Sequence, residues 1–173
     1  MNIVVIGLGS MGKRRIRLLK QYIENEIIDG SDWKIIGVDS NEERCAESTK
    51  MYGIETYHSI KVALETEAVD CAVISTSPHT HAGIIKECLQ NKLHVFTEIN
   101  LLSEGYEENI SLAKEAGKVL FLSSTFMYRK EMEYIKKVVQ EEAFTGLYRY
   151  HIGQYLPEWH PWESYKNFFV GRK

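Results

Sequence analysis

Short runs of hydrophobic, β-branched residues alternate with longer amphipathic segments along most of the chain. The short runs are apolar almost throughout, which is typical of strands in a sheet that helices cover on both faces. The strands predicted in this way are 2–6, 34–39, 54–57, 71–76, 93–96 and 119–124. Their alternation with helices predicts right-handed βαβ crossovers, and therefore an α/β fold with a doubly wound parallel sheet.

Helices are predicted between these strands, and several have recognisable ends. The predicted helices are 11–25, 41–52, 59–66, 81–91 and 103–117. Residues that favour the N-cap position stand at the start of three of them, namely Ser40 or Asn41, Ser59 and Ser103. Glycine, which is favoured just beyond the end of a helix, stands at positions 53 and 117.

The pattern changes after residue 124. A helix is predicted at 131–142, and the segment LYRYHIGQYL alternates like a strand with one exposed face. We therefore predict a first domain at 1–127 and the truncated beginning of a second domain at 128–173. The second pattern looks unfinished, because it stops after so few elements.

Composition and charge narrow the possible partners. The 173 residues carry a net charge of -3, which gives no bulk attraction to nucleic acid or anionic membranes. The three cysteines have neither metal-binding nor redox spacing, so reduced thiols are expected. No apolar run approaches the roughly 20 residues that span a bilayer, and no signal peptide is recognisable. We predict a cytoplasmic protein without nucleic-acid or membrane partners.

A glycine-rich loop joins the first predicted strand to the first predicted helix. Its sequence is GLGSMG, from Gly7 to Gly12, which has the spacing of dinucleotide-binding loops. Gly7 permits a tight turn, Gly9 lets backbone amides approach a pyrophosphate, and Gly12 allows close packing of helix on strand. The amides and the dipole at the helix start would stabilise phosphate charge. The alternative is a glycine turn that binds no ligand.

Asp39 ends the second predicted strand, although it lies further from the glycine loop than the usual spacing of about 20 residues. A carboxylate in this place accepts hydrogen bonds from the adenosine ribose and repels a 2′-phosphate. Ser40 and Asn41 follow it rather than arginine, so NAD is predicted in preference to NADP. In the alternative interpretation Asp39 only caps a helix.

Four basic residues follow the glycine loop on the first predicted helix, namely Lys13, Arg14, Arg15 and Arg17. The simpler interpretation is a solvated helix face. The alternative is that Arg14 or Arg15 approaches the phosphates.

The fourth predicted strand leads into STSPHTH, from Ser75 to His81. Ligands of open α/β sheets bind at this carboxyl edge, where hydroxyl groups can contact the nicotinamide half of a dinucleotide. His79 and His81 would suit a metal ion, but no cysteine or carboxylate completes a ligand set nearby, so no metal site is predicted. Alternatively, His81 forms a local hydrogen bond in the first turn of the next helix.

Three segments carry a resemblance to a known family. They are VVIGLGSMGKRR, VDCAVISTSPHTHAGIIKECLQNKLHVFTE and MYRKEMEYIKKVVQEEAFTGLYRY. In their order they resemble the Gfo/Idh/MocA oxidoreductases, NAD(P)-dependent dehydrogenases that act largely on sugars, inositols and related polyols. The resemblance covers nearly the whole chain. Related chains continue well past residue 173, so the resemblance implies that this chain is an N-terminal fragment or a truncated product. It also implies an N-terminal Rossmann domain and a C-terminal α+β domain whose open sheet covers the nicotinamide and forms a homo-oligomer.

The resemblance also implies roles for individual residues. Those that would hold the pyrophosphate and the adenosine are Gly7, Gly9, Ser10, Met11, Gly12 and Asp39, with Ser40 beside them. Those that would line the nicotinamide side are Thr76, Ser77, Pro78 and His81. Glu98, at the end of the fifth predicted strand, would meet the nicotinamide ribose.

The chain departs from the family pattern directly after Glu98. The family has Glu-Lys-Pro, whose lysine usually joins the catalytic proton relay, whereas this chain has Glu98, Ile99 and Asn100. Isoleucine cannot donate, accept or carry charge, so the relay is rebuilt from elsewhere or is missing. No catalytic residue is therefore assigned. Asn100 either binds substrate or belongs to a turn.

An aromatic segment, QYLPEWHPWESY, lies near the end of the sequence. Aromatic faces with a few polar groups suit a polyol pocket, so its candidate substrate residues are Trp159, His160, Trp162 and Tyr165. Packing between two domains would explain the same residues equally well.

The predicted function is that of an NAD-dependent oxidoreductase acting on a sugar, a sugar nucleotide or a polyol, with the 173 residues inactive on their own. Two alternatives stay open. One is a non-catalytic dinucleotide-binding module or sensor, which Ile99 favours. The other is an NAD-assisted glycoside hydrolase or lyase.

Overall fold

The computed structural model describes residues 1–30, 32–99 and 102–142, together with single residues at 147, 149, 151, 155, 158 and 164. The strands are β1 (Asn2–Ile6), β2 (Lys34–Val38), β3 (Glu55–Tyr57), β4 (Cys71–Ile74), β5 (His94–Thr97) and β6 (Leu120–Leu122). The helices are α1 (Ser10–Glu24), α2 (Glu42–Tyr52), α3 (Ile60–Thr66), α4 (Pro78–Gln90), α5 (Tyr106–Ala116) and α6 (Lys130–Glu142). The chain divides into two compact units, Met1–Ser123 and Ser124–Lys173.

The first unit is built on a six-stranded sheet in the order β3-β2-β1-β4-β5-β6. Every neighbouring pair is parallel, including the central pair β1 and β4, in which Ile6 lies opposite Ile74. The direction of winding reverses between β1 and β4, which is where open α/β sheets bind their ligands. The predicted α/β fold with a doubly wound parallel sheet is confirmed.

The hydrophobic core forms two layers because alternate residues of a strand point to opposite faces of the sheet. Val4 and Ile6 of β1 pack in the layer that includes residues of α3, α4 and α5. Ile3 and Val5 pack in the other layer, with Ile16 of α1 and Cys45 of α2. Covering both faces explains why the strands are apolar at consecutive positions.

The ends of α2 and α3 follow the predicted capping residues. The side chain of Asn41 accepts a hydrogen bond from Arg44 N at 3.0 Å, and that of Ser59 accepts one from Val62 N at 3.3 Å. Gly53 and Gly117 end α2 and α5 with φ angles of 62° each, which is the left-handed conformation that favours glycine. These four capping predictions are confirmed.

The predicted start of α5 is wrong. The helix begins at Tyr106, after Gly105 with φ 73°, rather than after Ser103. A Cβ at Gly105 would lie 2.9 Å from the Cβ of Ala82, so close contact with α4 requires glycine here and moves the helix start beyond it.

The predicted start of α4 at residue 81 is also wrong, because the helix begins at Pro78. Proline is well suited to the first turn, since it has no N–H to satisfy and its φ angle is already helical. The apolar periodicity that predicted the helix begins only after this first turn.

The second unit contains a short 3₁₀ helix, Thr125–Tyr128, followed by α6. Within it, the guanidinium carbon of Arg129 lies 4.9 Å from the centre of the Phe126 ring. The strand predicted from LYRYHIGQYL falls mostly outside the described residues.

A polar network ties the edge strand β3 to the sheet. Lys34 Nζ on β2 lies 2.7 Å from Glu55 Oε2 on β3 and 2.7 Å from Glu67 Oε1 beyond α3. Tyr57 Oη donates a hydrogen bond to the same oxygen of Glu67 at 2.8 Å. Hydrogen bonds, above all the one from Lys34 and also the one from Tyr57, lower the pKa of Glu67 to about 2 from an ordinary value of 4.5. The ionised carboxylate is therefore more favourable in the folded chain than in the unfolded chain.

Replacing Glu67 with glutamine should lower the melting temperature at pH 7, because it removes an ionised acceptor of Lys34 and Tyr57. A depressed carboxyl pKa gives stability that is fully present above the unfolded-state value of 4.5 and is lost as the pH falls towards about 2. The difference in melting temperature between wild type and Glu67→Gln should therefore narrow over this range. Glu65→Gln, which affects an exposed pair with Lys61 at 3.8 Å, is the matched control and should change little. An equal difference at pH 7 and at pH 3 would contradict the role of Glu67.

Candidate functional site

The carboxyl ends of the central strands meet at a crevice of about 540 Å³ in the first unit. It is bordered by the turn after β1, the residues after β2 and the residues after β4. Of the residues predicted from the sequence, those that line it are Gly7, Gly9, Asp39, Ser40, Thr76 and Ser77. The structure thus brings together the glycine loop, the acid after β2 and the hydroxyl-rich loop after β4.

Gly7 and Gly12 are required by the fold itself. Gly7 has φ 91°, and a Cβ there would lie 2.8 Å from the carbonyl oxygen of Ser75. A Cβ on Gly12 would lie 1.8 Å from the carbonyl oxygen of Gly7. Side chains at either position would push α1 away from β1 and β4. These two glycines therefore fix the start of α1 against the edge of the sheet.

Gly9 is different, because the fold alone does not require glycine there. Its φ angle is -71°, which any residue adopts. The nearest described atom to a Cβ at this position would be Arg44 Nη1, 3.9 Å away, which is an ordinary contact. The open space beside Gly9 fits the expectation that this glycine lets a ligand approach the backbone.

The start of α1 has the properties of an anion site. Its N-cap is Gly9, which forms no side-chain capping bond, and its first turn holds no acidic residue. The first amides of an α-helix have no acceptor within the helix, and the helix dipole adds partial positive charge there. Ser10 and Met11 lie in this first turn and are exposed. A diphosphate would receive hydrogen bonds from these amides.

Asp39 is held firmly at the bottom of the crevice. Its Oδ2 accepts a hydrogen bond from Leu8 N in the glycine loop at 2.7 Å, and its Oδ1 accepts one from Asn41 N at 2.9 Å. Only 8% of the residue is exposed. The carboxylate joins the glycine loop to the end of β2, and its remaining lone pairs can accept hydroxyl groups of a ribose.

Arg44 is one of several residues of this crevice that the sequence argument overlooked, and it is the one whose side chain pairs with Asp39. It lies in the first turn of α2, its Nη1 is 3.6 Å from Asp39 Oδ2, and its side chain is half exposed. The sequence argument considered only Ser40 and Asn41 directly after the acid. The sequence feature that could have identified Arg44 is its helical spacing, since the first turn of α2 brings its side chain back towards Asp39.

Beyond β4, the loop and the first turn of α4 contain two polar atoms that are buried without a partner. Ser75 Oγ and His81 Nδ1 have no hydrogen-bond partner among the described residues. His81 Nε2 lies 3.0 Å from the carbonyl oxygen of Thr76, which can only accept, so Nε2 carries the proton. The local hydrogen bond considered for His81 is thus present. Burial lowers its pKa below the usual histidine value, so the ring is neutral at pH 7.

The remaining predicted residues of this loop lie at its surface. Thr76 Oγ1 accepts a hydrogen bond from Thr80 Oγ1 at 2.8 Å. Ser77 is exposed and is the N-cap of α4, and Pro78 is the first residue of that helix. Thr76 and Ser77 therefore offer hydroxyl groups to the crevice from the end of β4.

Glu98, which follows β5, has a basic partner that its sequence neighbours do not suggest. Arg15 Nε donates to Glu98 Oε1 at 2.6 Å, and Nη2 of the same guanidinium contacts the same oxygen. The interpretation of the four basic residues of α1 as a solvated face is wrong for Lys13 and Arg15, because their side chains are only 21% and 19% exposed and each pairs with a glutamate. It holds for Arg14 and Arg17, which are exposed.

Ile99, which stands at the position of the lysine in the Glu-Lys-Pro pattern, is 47% exposed. The candidate substrate residues fall outside the described part of the chain, and they are Asn100, Trp159, His160, Trp162 and Tyr165. Within the described part, no three His, Cys, Asp or Glu side chains lie close enough to hold a metal ion. None of the described helices has the length and apolar character needed to cross a membrane.

Comparison with known proteins agrees with this geometry. A family model described as an oxidoreductase family with an NAD-binding Rossmann fold matches residues 1–124. This match confirms the prediction of an NAD-binding Rossmann domain.

Two curated relatives are similar over most of this chain. Myo-inositol 2-dehydrogenase of Thermotoga maritima is 28% identical over 143 residues, which cover 81% of the chain and 41% of that relative. Biliverdin reductase A of Mus musculus is 28% identical over 152 residues, which cover 86% of the chain and 48% of that relative. The chain thus spans less than half the length of either relative.

Solved structures share the fold. The WlbA dehydrogenase of Chromobacterium violaceum, determined with NADH and UDP-GlcNAcA, matches with a TM-score of 0.72 and 18% identity. The match covers 82% of this chain and 40% of that protein. At this identity the likeness concerns the fold.

Replacing Gly9 with alanine should separate ligand binding from folding. The fold has room for the methyl group, so the melting temperature should stay within the error of wild type. The methyl group should obstruct the backbone at the pyrophosphate and raise the dissociation constant of NADH at least about tenfold, or about 1.4 kcal/mol. Calorimetric titration with NADH measures this change.

Gly12→Ala is the contrasting variant, because its methyl group would meet the carbonyl oxygen of Gly7. It should lose thermal stability as well as binding. A Gly9→Ala protein that binds NADH as tightly as wild type would contradict the assignment of the pyrophosphate to this loop.

Proposed function

The chain belongs to the Gfo/Idh/MocA family of oxidoreductases, and we propose that the protein transfers hydride between NAD and a carbon atom of a sugar, a sugar nucleotide or a polyol. The observation that carries the proposal is the uncapped start of α1, open beside Gly9 and set next to the buried carboxylate of Asp39. An anion site and a hydroxyl acceptor at the switch point of a doubly wound sheet suit the two ends of an adenosine diphosphate.

Each half of the cofactor has its own residues in this proposal. The amides of Ser10, Met11 and Gly12 at the start of α1 stabilise the pyrophosphate. Asp39 accepts hydroxyl groups of the adenosine ribose, with Ser40 beside it. The orientation of Asp39 is fixed in advance by the amides of Leu8 and Asn41, so binding does not have to order that carboxylate.

The nicotinamide half faces the ends of β4 and β5 in this proposal. The residues assigned to it are Thr76, Ser77, Pro78, His81 and Glu98. The buried Ser75 Oγ, which has no partner among the described residues, supports a polar ligand group at the end of β4. When bound, NAD supplies the hydride acceptor, and the protein supplies position and electrostatics.

The proton that accompanies hydride transfer has no assigned carrier. The oxidised hydroxyl group must lose a proton, and Ile99 cannot accept one. His81 is neutral, but its protonated Nε2 is bound to Thr76 O and its Nδ1 is buried. A general base from outside the described residues is therefore part of the proposal.

The substrate class is supported by the relatives. One curated relative is a dehydrogenase of myo-inositol, and the WlbA dehydrogenase was determined with UDP-GlcNAcA. Biliverdin reductase A shows that similar chains also include a reductase of a different type of compound. Polyols and sugar nucleotides are therefore the first substrates to test.

A non-catalytic dinucleotide-binding module is the second candidate function. It is favoured by the exposed Ile99, which stands where the family has the lysine of its proton relay. In this case the protein would bind NAD tightly and convert no substrate.

We also propose that residues 1–127 are the dinucleotide-binding domain and that 128–173 belong to a second, α+β domain for substrate binding and self-association. The family match ends at residue 124, and the compact unit that contains the sheet ends at Ser123. Both boundaries support a division close to this point.

Turnover assays distinguish the two candidate functions. The full-length protein should bind NADH and should reduce NAD with myo-inositol, with a free sugar, or with a UDP-linked amino sugar or uronic acid, and the absorbance of NADH measures this turnover. NADH binding without turnover on the whole panel would favour the binding module. Absence of NADH binding would contradict both candidates.

Replacing Asp39 with alanine should shift cofactor preference. Loss of the carboxylate removes an acceptor for the ribose and a negative charge that repels a 2′-phosphate. The ratio of the NADPH to the NADH dissociation constant should therefore fall by roughly tenfold. This ratio is measured because a general loosening of the loop would weaken the binding of both cofactors alike.

Arg44→Gln removes a positive charge 3.6 Å from Asp39, so it should raise the ratio of the NADPH to the NADH dissociation constant. An unchanged ratio in Asp39→Ala would contradict the ribose role.

A further inference from the structure

The ion pair between Arg15 and Glu98 joins α1 to the carboxyl end of β5, and neither residue is part of the crevice lining. Arg15 lies on α1, whose first turn is the anion site, and Glu98 lies directly after β5. Two nitrogens of the guanidinium, Nε and Nη2, both contact Glu98 Oε1. The helix that receives the pyrophosphate thus also holds the carboxylate on the nicotinamide side.

This pair differs from an ordinary surface ion pair in its burial and its packing. The two side chains are only 19% and 18% exposed. The guanidinium carbon of Arg15 lies 5.1 Å from the centre of the Phe96 ring, which stacks on Phe121 with a centroid distance of 5.6 Å. A planar cation between an aromatic face and a carboxylate has little freedom to move.

The neighbouring basic residues of α1 are arranged differently. Lys13 pairs with Glu47 on α2, and Arg14 and Arg17 are exposed. Arg15 is the member of this cluster whose side chain reaches across the sheet to β5. The cluster therefore contains one arginine that is held by the carboxylate after β5 and two exposed arginines that serve as controls.

The contacts favour a positioning role for Arg15 over an acid–base role. A guanidinium group stays protonated in proteins and does not exchange protons with substrate. Nε and Nη2 of Arg15 both contact Oε1 of Glu98, so the second oxygen, Oε2, stays available to accept a hydrogen bond from another donor. We propose that Arg15 is a positioning residue, which holds Glu98 by Oε1 so that Oε2 accepts a hydroxyl group of the nicotinamide ribose.

This inference rests on the proposed function, because it assumes that the crevice binds NAD. It also predicts different effects on the two halves of the cofactor, the nicotinamide ribose and the adenosine diphosphate. Arg15 lies about 7 Å along the axis from the start of α1, at about 1.5 Å per residue. If it acts through Glu98, its loss affects the ribose on the nicotinamide side and spares the adenosine diphosphate.

Three ligands of increasing length test this distinction by calorimetric titration. They are ADP, which lacks the second ribose, ADP-ribose, which contains it, and NADH. Arg15→Gln should bind ADP with less than a twofold change, and should bind ADP-ribose and NADH at least about tenfold more weakly, as expected for one charge-assisted hydrogen bond. Arg17→Gln, which removes an equal charge from the exposed face of the same helix, should bind all three ligands like wild type.

Two further variants test whether Arg15 acts through Glu98. Glu98→Gln should show the same selective loss, and the double variant Arg15→Gln/Glu98→Gln should lose no more than Glu98→Gln alone. Arg15→Lys keeps the charge without the two-nitrogen contact, so it should bind ADP-ribose with an intermediate affinity. It also provides the measurement if Arg15→Gln does not fold.

The outcomes separate this inference from the proposed function. Wild-type protein that binds none of the three ligands would contradict the proposed function. Wild-type binding together with an equal loss for ADP and ADP-ribose in Arg15→Gln would mean that Arg15 contacts the phosphates, and would overturn the positioning role alone. Additive losses in the double variant would also overturn it.

Discussion

The close approach of Gly12 to Gly7 is the contact on which the rest of the site depends. A Cβ at Gly12 would lie only 1.8 Å from the carbonyl oxygen of Gly7, so the first turn of α1 lies directly against the turn after β1. This contact sets the helix axis relative to the edge of the sheet. It therefore decides where the unpaired amides point and, one and a half turns later, where Arg15 meets Glu98.

The crevice combines charges that oppose one another. Burial of the Asp39 carboxylate would be unfavourable without compensation, and an anion bound at the start of α1 would add repulsion. Compensation comes from the amides of Leu8 and Asn41 and from the guanidinium of Arg44. Glu98 is compensated in the same manner by Arg15. Both carboxylates are thus oriented by the protein, while the amides at the start of α1 stay available to a ligand.

Sequence reasoning predicted the sheet and most helix ends because these depend on local chemistry, and it named six of the residues that the structure brings together at the crevice. Apolar runs, the glycine loop, and the capping residues Asn41 and Ser59 each act within a few positions of the chain. The start of α5 was missed because it is set by contact between Gly105 and Ala82 on another helix. The partner of Glu98 was missed for a similar reason, since Arg15 is 83 positions away along the chain.

The position of Gly9 affects how such a protein can evolve. Its backbone conformation is common to all residues and its surroundings are open, so the architecture places no demand on this position. If the pyrophosphate binds where we propose, a single base change in that codon would leave a folded protein that binds the nucleotide more weakly. Descendants of such a protein could then lose their cofactor in one inherited step and retain a stable scaffold for natural selection to reuse.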